Sequence, residues 1–208
     1  MKEKPKMSEL VRRSFPAEFR ADAENGVITG VPVVFGQPTD IGGWFEEVIE
    51  PGAISPDVLR DVAFFVNHDL KSKPVARTRT GKLLFTVTDA GVDMEAHVNR
   101  ERTDVNDLYL AIQDGCIDGM SFAFRVAKET WEREDTDYPL RRIQEIGYVQ
   151  EVSAVNYPAY AGTSINARSD TPLDSDKKMV DTIRAAALDR ADKEKLELLK
   201  LKAKALIS

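Results

Sequence analysis

Alternating apolar and polar positions run through much of the chain between residues 26 and 160, and this period of two is typical of half-buried β-strands. The segments 92–98 and 120–127 show it most clearly. Turn residues at 89–91 separate the first of these from an apolar run at 83–88, a pattern that predicts a β-hairpin. Other apolar runs predict further strands at 26–35, 44–49, 62–66 and 143–155.

A helical period appears over residues 104–114, where apolar side chains recur at i, i+3, i+4 and i+7 and Gly115 can end the helix. The apolar positions are Val105, Leu108, Tyr109 and Ile112. A second, short helix is predicted near 55–60, because Pro56 suits a first helical position. Many strands with one or two helices predict a mainly β, α+β fold, either a barrel or a sandwich with flanking helices.

The composition changes after Arg168. Residues 169–178 have no apolar periodicity and are predicted to form a linker. Residues 179–208 are rich in Ala, Leu, Lys, Asp and Glu and are predicted to form a helix. Its heptad-like stripe consists of Leu196, Leu199, Ala203 and Leu206. We expect this helical tail to lie outside the core of the main domain.

The overall composition narrows the range of functions. The 208 residues carry a net charge of −6, which disfavours nucleic acid as the main partner. No apolar run approaches the length needed to span a membrane. A single cysteine excludes an internal disulfide, and with only two histidines we expect neither a metal site nor a cofactor. The reducing interior of a cell is the expected location.

Hydrolysis of a peptide by a hydroxyl needs a positioned serine, a base within hydrogen-bond reach and a group that holds the base. The two histidines limit the choice of base. His97 lies on the polar side of its predicted strand and is expected to be a solvated surface residue. His68 follows the apolar run 62–66 where a strand enters a loop, a common position for catalytic groups. An ordinary loop histidine is the alternative at this point.

Ser121 and Glu151 are the candidates for the other two roles. The neighbours of Ser121, Met120 and Phe122, should point to the opposite face of the strand, which leaves Ser121 off the core face, next to the small Ala123 that leaves room for a substrate. Glu151 is a carboxylate in an otherwise apolar strand, so it needs a partner. That partner is a histidine or one of the arginines Arg141, Arg142 and Arg168.

Other reactive side chains have simpler explanations. Cys116, near the end of the predicted helix, is expected to be a small buried residue rather than a thiol nucleophile. Glu46 and Glu47 form no recognisable carboxylate pair with any partner, so glycosidase chemistry lacks support. The glycines between 26 and 43 do not form a phosphate-binding loop of the Walker or dinucleotide type.

Three segments together resemble the caudovirus prohead protease family. They are F-F-V-N-H-D at 64–69, G-C-I-D-G-M-S-F-A-F at 115–124 and Q-E-V-S-A-V-N-Y-P-A-Y at 150–160. The resemblance covers roughly residues 15–168 and is most specific at 120–122 and 158–160. It implies the β-barrel fold of the herpesvirus assemblins, with flanking helices, followed here by the helical tail.

The resemblance also implies roles for individual residues. His68 matches the catalytic histidine and Ser121 the nucleophilic serine. The herpesvirus enzymes use a second histidine as the third member, but this chain has no histidine after His97, so we expect Glu151 to take that role. Arg168 matches an oxyanion-hole arginine by rough position, and a surface arginine at the end of the domain is the alternative.

A member of this family would be a serine endopeptidase that cleaves major capsid and scaffold proteins, and itself, during phage prohead maturation. It would act in the bacterial host cytoplasm, inside the assembling prohead, without cofactor, metal, nucleic acid or membrane. The herpesvirus enzymes are activated by dimerisation, so a homo-oligomer is compatible with the resemblance. The chain would divide into a flexible N-terminus (1–14), a protease domain (15–168), a linker (169–178) and a helical tail (179–208). The alternative is a non-catalytic capsid-assembly or scaffold-binding module on the same fold.

Overall fold

A computed structural model describes residues 7–16, 19–22, 25–156 and 172–205. Its strands, in chain order, are β1 Val11–Pro16, β2 Arg20–Ala21, β3 Val27–Val34, β4 Thr39–Ile41, β5 Phe45–Ile49, β6 Ala63–Val66, β7 Ala76–Arg77, β8 Leu83–Val87, β9 Gly91–His97, β10 Gly119–Glu132 and β11 Leu140–Val155. Its helices are α1 Thr103–Gln113 and α2 Asp174–Ala205, with short 3₁₀ helices at Pro56–Leu59 and Thr78–Thr80. The fold is mixed α+β and rich in strands, as the sequence predicts.

The strands of the described residues form two sheets. The larger sheet is built around the long antiparallel hairpin of β10 and β11, with β1 on the far side of β10. Both β5 and β6 run parallel to β11 and pair with opposite ends of it, so the sheet branches there. The smaller sheet has the order β2-β3-β9-β8. Within the described part of the chain neither sheet closes into a ring, so the closed barrel implied by the resemblance is not observed.

The main hydrophobic core draws side chains from both sheets and from α1. On β10, Met120, Phe122 and Phe124 are fully buried in this core, and the rings of the two phenylalanines stack with their centroids 4.3 Å apart. A slip of β10 by one residue would turn all three side chains to the opposite face. The apolar pattern therefore fixes the register of this strand and the direction of Ser121 between them.

Helix α1 lies within one residue of its predicted bounds. Its predicted apolar face is buried, at Val105, Leu108, Tyr109 and Ile112. Gly115 follows with a φ of 71°, the left-handed conformation that glycine adopts readily after a helix end. The short helix expected near 55–60 is also present, as the 3₁₀ helix Pro56–Leu59.

Two expected domain boundaries fall inside structural elements. Residues 11–14 belong to β1, which pairs along its whole length with β10, although the sequence predicts a flexible segment at 1–14. Residues 174–178 form the first turn of α2, although they belong to the predicted linker 169–178. In both cases the partners of the segment are remote in sequence, so that local composition gives no sign of them.

The first half of α2 packs against the body of the protein. Val180 is fully buried with Ile41 and Phe45 in a second, smaller core cluster, and Ile183 is buried as well. The Arg190 guanidinium donates to a backbone carbonyl oxygen of the β10–β11 connection at 2.9 Å. From 191 to 202 every side chain is exposed. The expectation that the tail lies outside the core therefore describes only its second half.

A buried cluster of charged side chains joins β1, β5, β11 and α2. Glu47 accepts two hydrogen bonds from Arg13, at 2.6 and 3.0 Å, and one from Arg141 at 3.1 Å. Arg141 also contacts Glu129 at 2.5 Å and Asp176 of α2 at 3.3 Å. Burial opposes ionisation of Glu47, but the two arginines outweigh it and hold its pKa below the usual value. Glu47 therefore has partners that the sequence did not reveal.

Candidate active site

His68 lies in a tight turn directly after β6. Asn67 and His68 have φ angles of 50° and 58°, a left-handed conformation that residues other than glycine rarely adopt. The Asn67 N–H donates to the Ala154 carbonyl oxygen at 2.8 Å, and Asn67 Oδ1 accepts the Asn156 N–H at 3.1 Å. These bonds tie the turn to the end of β11. Backbone strain of this kind persists where surrounding contacts hold it, and it is common at functional sites.

The His68 ring contacts Glu151. Nδ1 lies 2.6 Å from Oε1, and the Glu151 side chain is 1% exposed. Two of the arginines that were alternative partners, Arg141 and Arg142, bind other carboxylates. Arg168 lies outside the described residues. Glu151 therefore has the histidine as a partner, which is the first of the alternatives that the sequence left open.

The contact with Glu151 also orients the His68 ring. An ionised carboxylate only accepts hydrogen bonds, so the contact assigns the ring proton to Nδ1. A neutral imidazole then carries its lone pair on Nε2. This Nε2 atom is buried and has no hydrogen-bond partner among the described residues. The arrangement is that of a triad histidine, with one nitrogen on a carboxylate and the other available to a hydroxyl.

Ser121 lies on β10 and points away from the core residues Met120 and Phe122, as the alternation predicts. It is nevertheless fully buried, and its hydroxyl donates to the Arg13 carbonyl oxygen at 2.9 Å rather than to His68. The open space expected beside Ser121 is not present, since Ala123 is also fully buried. Strand β1 pairs along this edge of β10 and supplies the carbonyl oxygen that binds the Ser121 hydroxyl.

The strand register places Ser121 near the histidine turn. Ser121 is paired with Ser153 on β11, so the two side chains share a face of the sheet, and the Cβ atoms of such pairs lie about 4.5–5.5 Å apart. The Ser153 hydroxyl accepts the His68 backbone N–H at 3.2 Å. The candidate nucleophile Ser121 is therefore paired with the residue, Ser153, that binds the backbone of the candidate base His68. Glu151 points to the same face, two residues before Ser153.

Ser153 is a member of this group that the sequence analysis did not assign. Its hydroxyl donates to Glu151 Oε2 at 2.5 Å while it accepts the His68 N–H. One signal was available, because residues two apart in a strand share a face. The contact between Ser153 and His68 could not be predicted from the sequence, because it depends on β6 running parallel to β11 and bringing His68 to that face.

The other reactive residues do not belong to this group. His97 is 42% exposed and contacts Glu95 of the same strand, β9, at 2.6 Å, so the prediction of a solvated strand histidine is confirmed. Cys116 is exposed, and the prediction that it is buried is wrong, because the chain leaves α1 through the turn at Gly115. Residues 158–160, a specific part of the resemblance, lie outside the described residues.

A serine, a histidine and a carboxylate are the side-chain types that serine hydrolases use, and here the histidine and the carboxylate are in contact. The comparison with known families leads to the same class. A family model described as caudovirus prohead serine protease matches residues 15–178. The chain belongs to this family.

Among known proteins, the chain is similar to the prohead protease of Enterobacteria phage HK97, with 28% identity over 153 residues. The match covers 72% of this chain and 63% of that relative. No solved structure shows a significant match. Among the helices described here, none is long and apolar enough to cross a membrane. The described residues also contain no group of three or more His, Cys, Asp or Glu side chains placed to hold a metal ion.

Proposed function

We propose that the chain is a serine endopeptidase in which Ser121 is the nucleophile, His68 the general base and Glu151 the group that orients the base. The main support is the 2.6 Å contact between His68 Nδ1 and Glu151 Oε1. Because Nδ1 is bonded to Glu151, Nε2 is the ring nitrogen that remains for proton transfer, and it has no partner among the described residues. A non-catalytic assembly module has no physical need for this pairing, and we therefore favour catalysis.

In the proposed reaction, the Ser121 oxygen attacks the scissile carbonyl carbon while His68 Nε2 takes the hydroxyl proton. The tetrahedral intermediate then collapses, the C–N bond breaks, and the leaving amine receives that proton. Water then attacks the acyl carbon while His68 Nε2 takes one of its protons; the ester C–O bond breaks, the Ser121 oxygen receives that proton, and the new carboxyl terminus is released. Throughout these steps Glu151 holds the Nδ1 proton and stabilises the charged imidazolium.

Ser121 has to change conformation before it can react. Its hydroxyl donates to the Arg13 carbonyl oxygen, and this bond has to break before the proton can pass to His68. Ser121 is also fully buried, so the part of the protein that covers it has to move before a substrate can reach it. We therefore propose that this arrangement is a resting form. The reaction also requires an oxyanion donor, for which Arg168 remains our candidate on the resemblance.

The substrates that we propose are the major capsid and scaffold proteins of the same phage, cleaved inside the assembling prohead in the bacterial host. The support is the family description and the name of the HK97 relative, a prohead protease. We further propose that the chain cleaves itself and that copies of it associate, as the likeness to the dimeric herpesvirus enzymes suggests.

We assign recruitment into the prohead to the second half of α2. Its exposed apolar side chains are Leu196, Leu198, Leu199 and Leu201. An isolated helix of this length is marginal in water, so it needs a partner, for which we propose a helical segment of the capsid or scaffold protein. Self-cleavage near 169–178 would later release it. Because Asp176 and Val180 attach the first half of α2 to the body, the helix has to detach after the cut.

Intact-mass measurement of the purified chain over time tests the proposed activity. The wild-type chain should produce a fragment that ends near residues 168–178, and Ser121→Ala should stay at full length. Ser55→Ala is the matched control, because Ser55 is exposed and makes no side-chain cap bond. Equal shortening of the wild type and Ser121→Ala would reject Ser121 as the nucleophile. Wild-type chain that cuts neither itself nor co-expressed capsid protein would reject the protease function.

A further inference from the structure

We propose that Ser153 is a positioning residue of this site, whose single hydroxyl holds both the Glu151 carboxylate and the His68 backbone in the orientation that keeps Nε2 available. The inference rests on the proposed triad of Ser121, His68 and Glu151. It adds a fourth side chain that does not touch the substrate but determines how the base is presented.

The Ser153 hydroxyl lies between two functional groups. It donates to Glu151 Oε2 at 2.5 Å, while Oε1 of the same carboxylate faces His68 Nδ1 at 2.6 Å. It also accepts the His68 N–H at 3.2 Å. Both carboxylate oxygens are therefore occupied. The carboxylate plane is fixed relative to the ring and to the backbone that carries the ring.

The His68 backbone needs this support. A φ of 58° is disfavoured for an L-residue with a side chain of this size. The neighbouring Asn67 is tied to β11 through the Ala154 carbonyl oxygen, whereas the His68 N–H donates to the Ser153 side chain. Loss of that hydroxyl would leave the N–H without its partner and would free the turn to change the direction of the ring.

The strand pairing at Ser153 does not depend on its side chain. Ser153 is fully buried and is paired with Ser121 on one side and with Phe65 of β6 on the other. Alanine at this position preserves the strand and its pairing, but it removes the donor to Glu151 and the acceptor for His68. We expect a folded protein in which His68 no longer has a single orientation. The Glu151 carboxylate and the His68 N–H each lose a hydrogen bond, and leaving buried polar groups without a partner is costly, so they rearrange.

Nitrogen NMR of the histidine ring tests the orientation directly. The chain has two histidines, and His97→Gln leaves His68 as the single imidazole. His97 is a suitable residue to replace because its side chain is 42% exposed at the end of β9. With labelled histidine, the ring nitrogen shifts report which nitrogen carries the proton. In this background we expect the Nδ1–H tautomer, and after Ser153→Ala a mixture of the two tautomers.

The reactivity of Ser121 towards a fluorophosphonate provides the second readout. In this reaction the serine oxygen bonds to phosphorus, fluoride leaves, and His68 takes the serine proton. Ser153→Ala should lower the maximal labelling rate about 10- to 100-fold, the scale of a small misplacement of reacting groups, and leave the half-saturating probe concentration nearly unchanged. Ser153→Thr, which keeps the hydroxyl, should restore most of the rate and the Nδ1–H tautomer.

Thr78→Val is the matched control for folding. The Thr78 hydroxyl also accepts a backbone N–H, that of Val62 at 2.9 Å, and donates to the Arg60 carbonyl oxygen at 2.8 Å, near the start of β6. Its loss removes the same kinds of bond away from His68. We expect Thr78→Val to lower the melting temperature by an amount similar to Ser153→Ala, without slowing the labelling of Ser121 or changing the tautomer.

The outcomes separate this inference from the proposed function. If the wild-type chain is not labelled at Ser121, the proposed function fails. If it is labelled, and Ser153→Ala keeps a single Nδ1–H tautomer and a rate within about threefold of wild type, the inference alone fails. Equal slowing by Ser153→Ala and Thr78→Val would also overturn it, because the loss would then reflect folding rather than orientation.

Discussion

Replacing Glu47 by glutamine should strongly destabilise the folded chain. Arg13 and Arg141 are 2% and 1% exposed, and Glu47 compensates the charge of both. Arg141 keeps two other carboxylates after the change, Glu129 and Asp176. Arg13 loses both ionic bonds to Glu47 and keeps the bond to its neighbouring backbone carbonyl oxygen. Glutamine has one acceptor oxygen and no charge, so it leaves a buried guanidinium incompletely compensated.

The size of the effect follows from the burial of these groups. Removing one partner of a buried ion pair costs about 3–5 kcal/mol, because the remaining charge stays in the interior. For a chain of this size, 1 kcal/mol corresponds to a shift in melting temperature of about 2–4 °C, so the expected decrease is about 6–20 °C. Native proteins have about 5–15 kcal/mol of stability in total, so the change should remove a large fraction of it.

The adjacent residue provides a matched control. Glu46 lies on the same strand and pairs with Arg133 at the surface, where both side chains are partly exposed. Exposed pairs of this kind contribute about 0–1 kcal/mol, so Glu46→Gln should have little effect. Thermal melting followed by circular dichroism, with urea unfolding as a check, compares the two variants. If Glu47→Gln melts at the same temperature as Glu46→Gln, the buried charge cluster does not stabilise the fold.

The other predictions concern pH, the cysteine and the tail. Because the pKa of Glu47 is held below its ordinary value of 4.5, its contribution to stability is complete above that pH and is lost as the pH falls through the lowered pKa. As the pH falls, the melting temperature of the wild type should therefore approach that of Glu47→Gln. Cys116→Ala should leave proteolysis unchanged and thiol alkylation should not inhibit it, whereas inhibition by alkylation would favour a thiol nucleophile. Truncation after Arg190 should preserve the melting temperature. Truncation before α2 should lower the melting temperature by several degrees, because it also removes Asp176, which contacts Arg141. If the two truncated chains melt at the same temperature, α2 does not pack against the body as described.

The sequence was sufficient for features that depend on local periodicity. The alternation over 120–127 predicts that Ser121 points away from the core, and the spacing over 104–114 predicts α1 and its buried face. The need of a buried carboxylate for a partner restricted Glu151 to a histidine or an arginine. Each of these inferences uses residues that are close in sequence, where the strand and helix periods determine which side chains share a face.

Features that depend on long-range pairing could not be predicted in this way. The hydroxyl of Ser121 bonds to a carbonyl oxygen 108 residues away, that of Arg13, so its partner lies on a strand that composition did not indicate. The contact between Arg141 and Asp176 attaches a helix that appears by composition to be a free tail. The role of Ser153 depends on β6 and β10 meeting β11 from opposite sides.

The central claim is that Ser121 is the nucleophile and that His68 activates it. Mass spectrometry of the chain after treatment with a fluorophosphonate tests this claim most directly, because the adduct reports the reactive residue without knowledge of the cleavage site.

We expect a single adduct on Ser121, formed slowly because the serine is buried in the resting form. Labelling should be abolished in His68→Ala. In a catalytic triad, removing one member can lower the rate nearly as much as removing all three, by roughly a million-fold in one thoroughly measured case. Glu151→Ala should retain more activity, because Glu151 orients the base and transfers no proton. An adduct on another residue, or labelling of Ser121 that proceeds equally well without His68, would contradict the account.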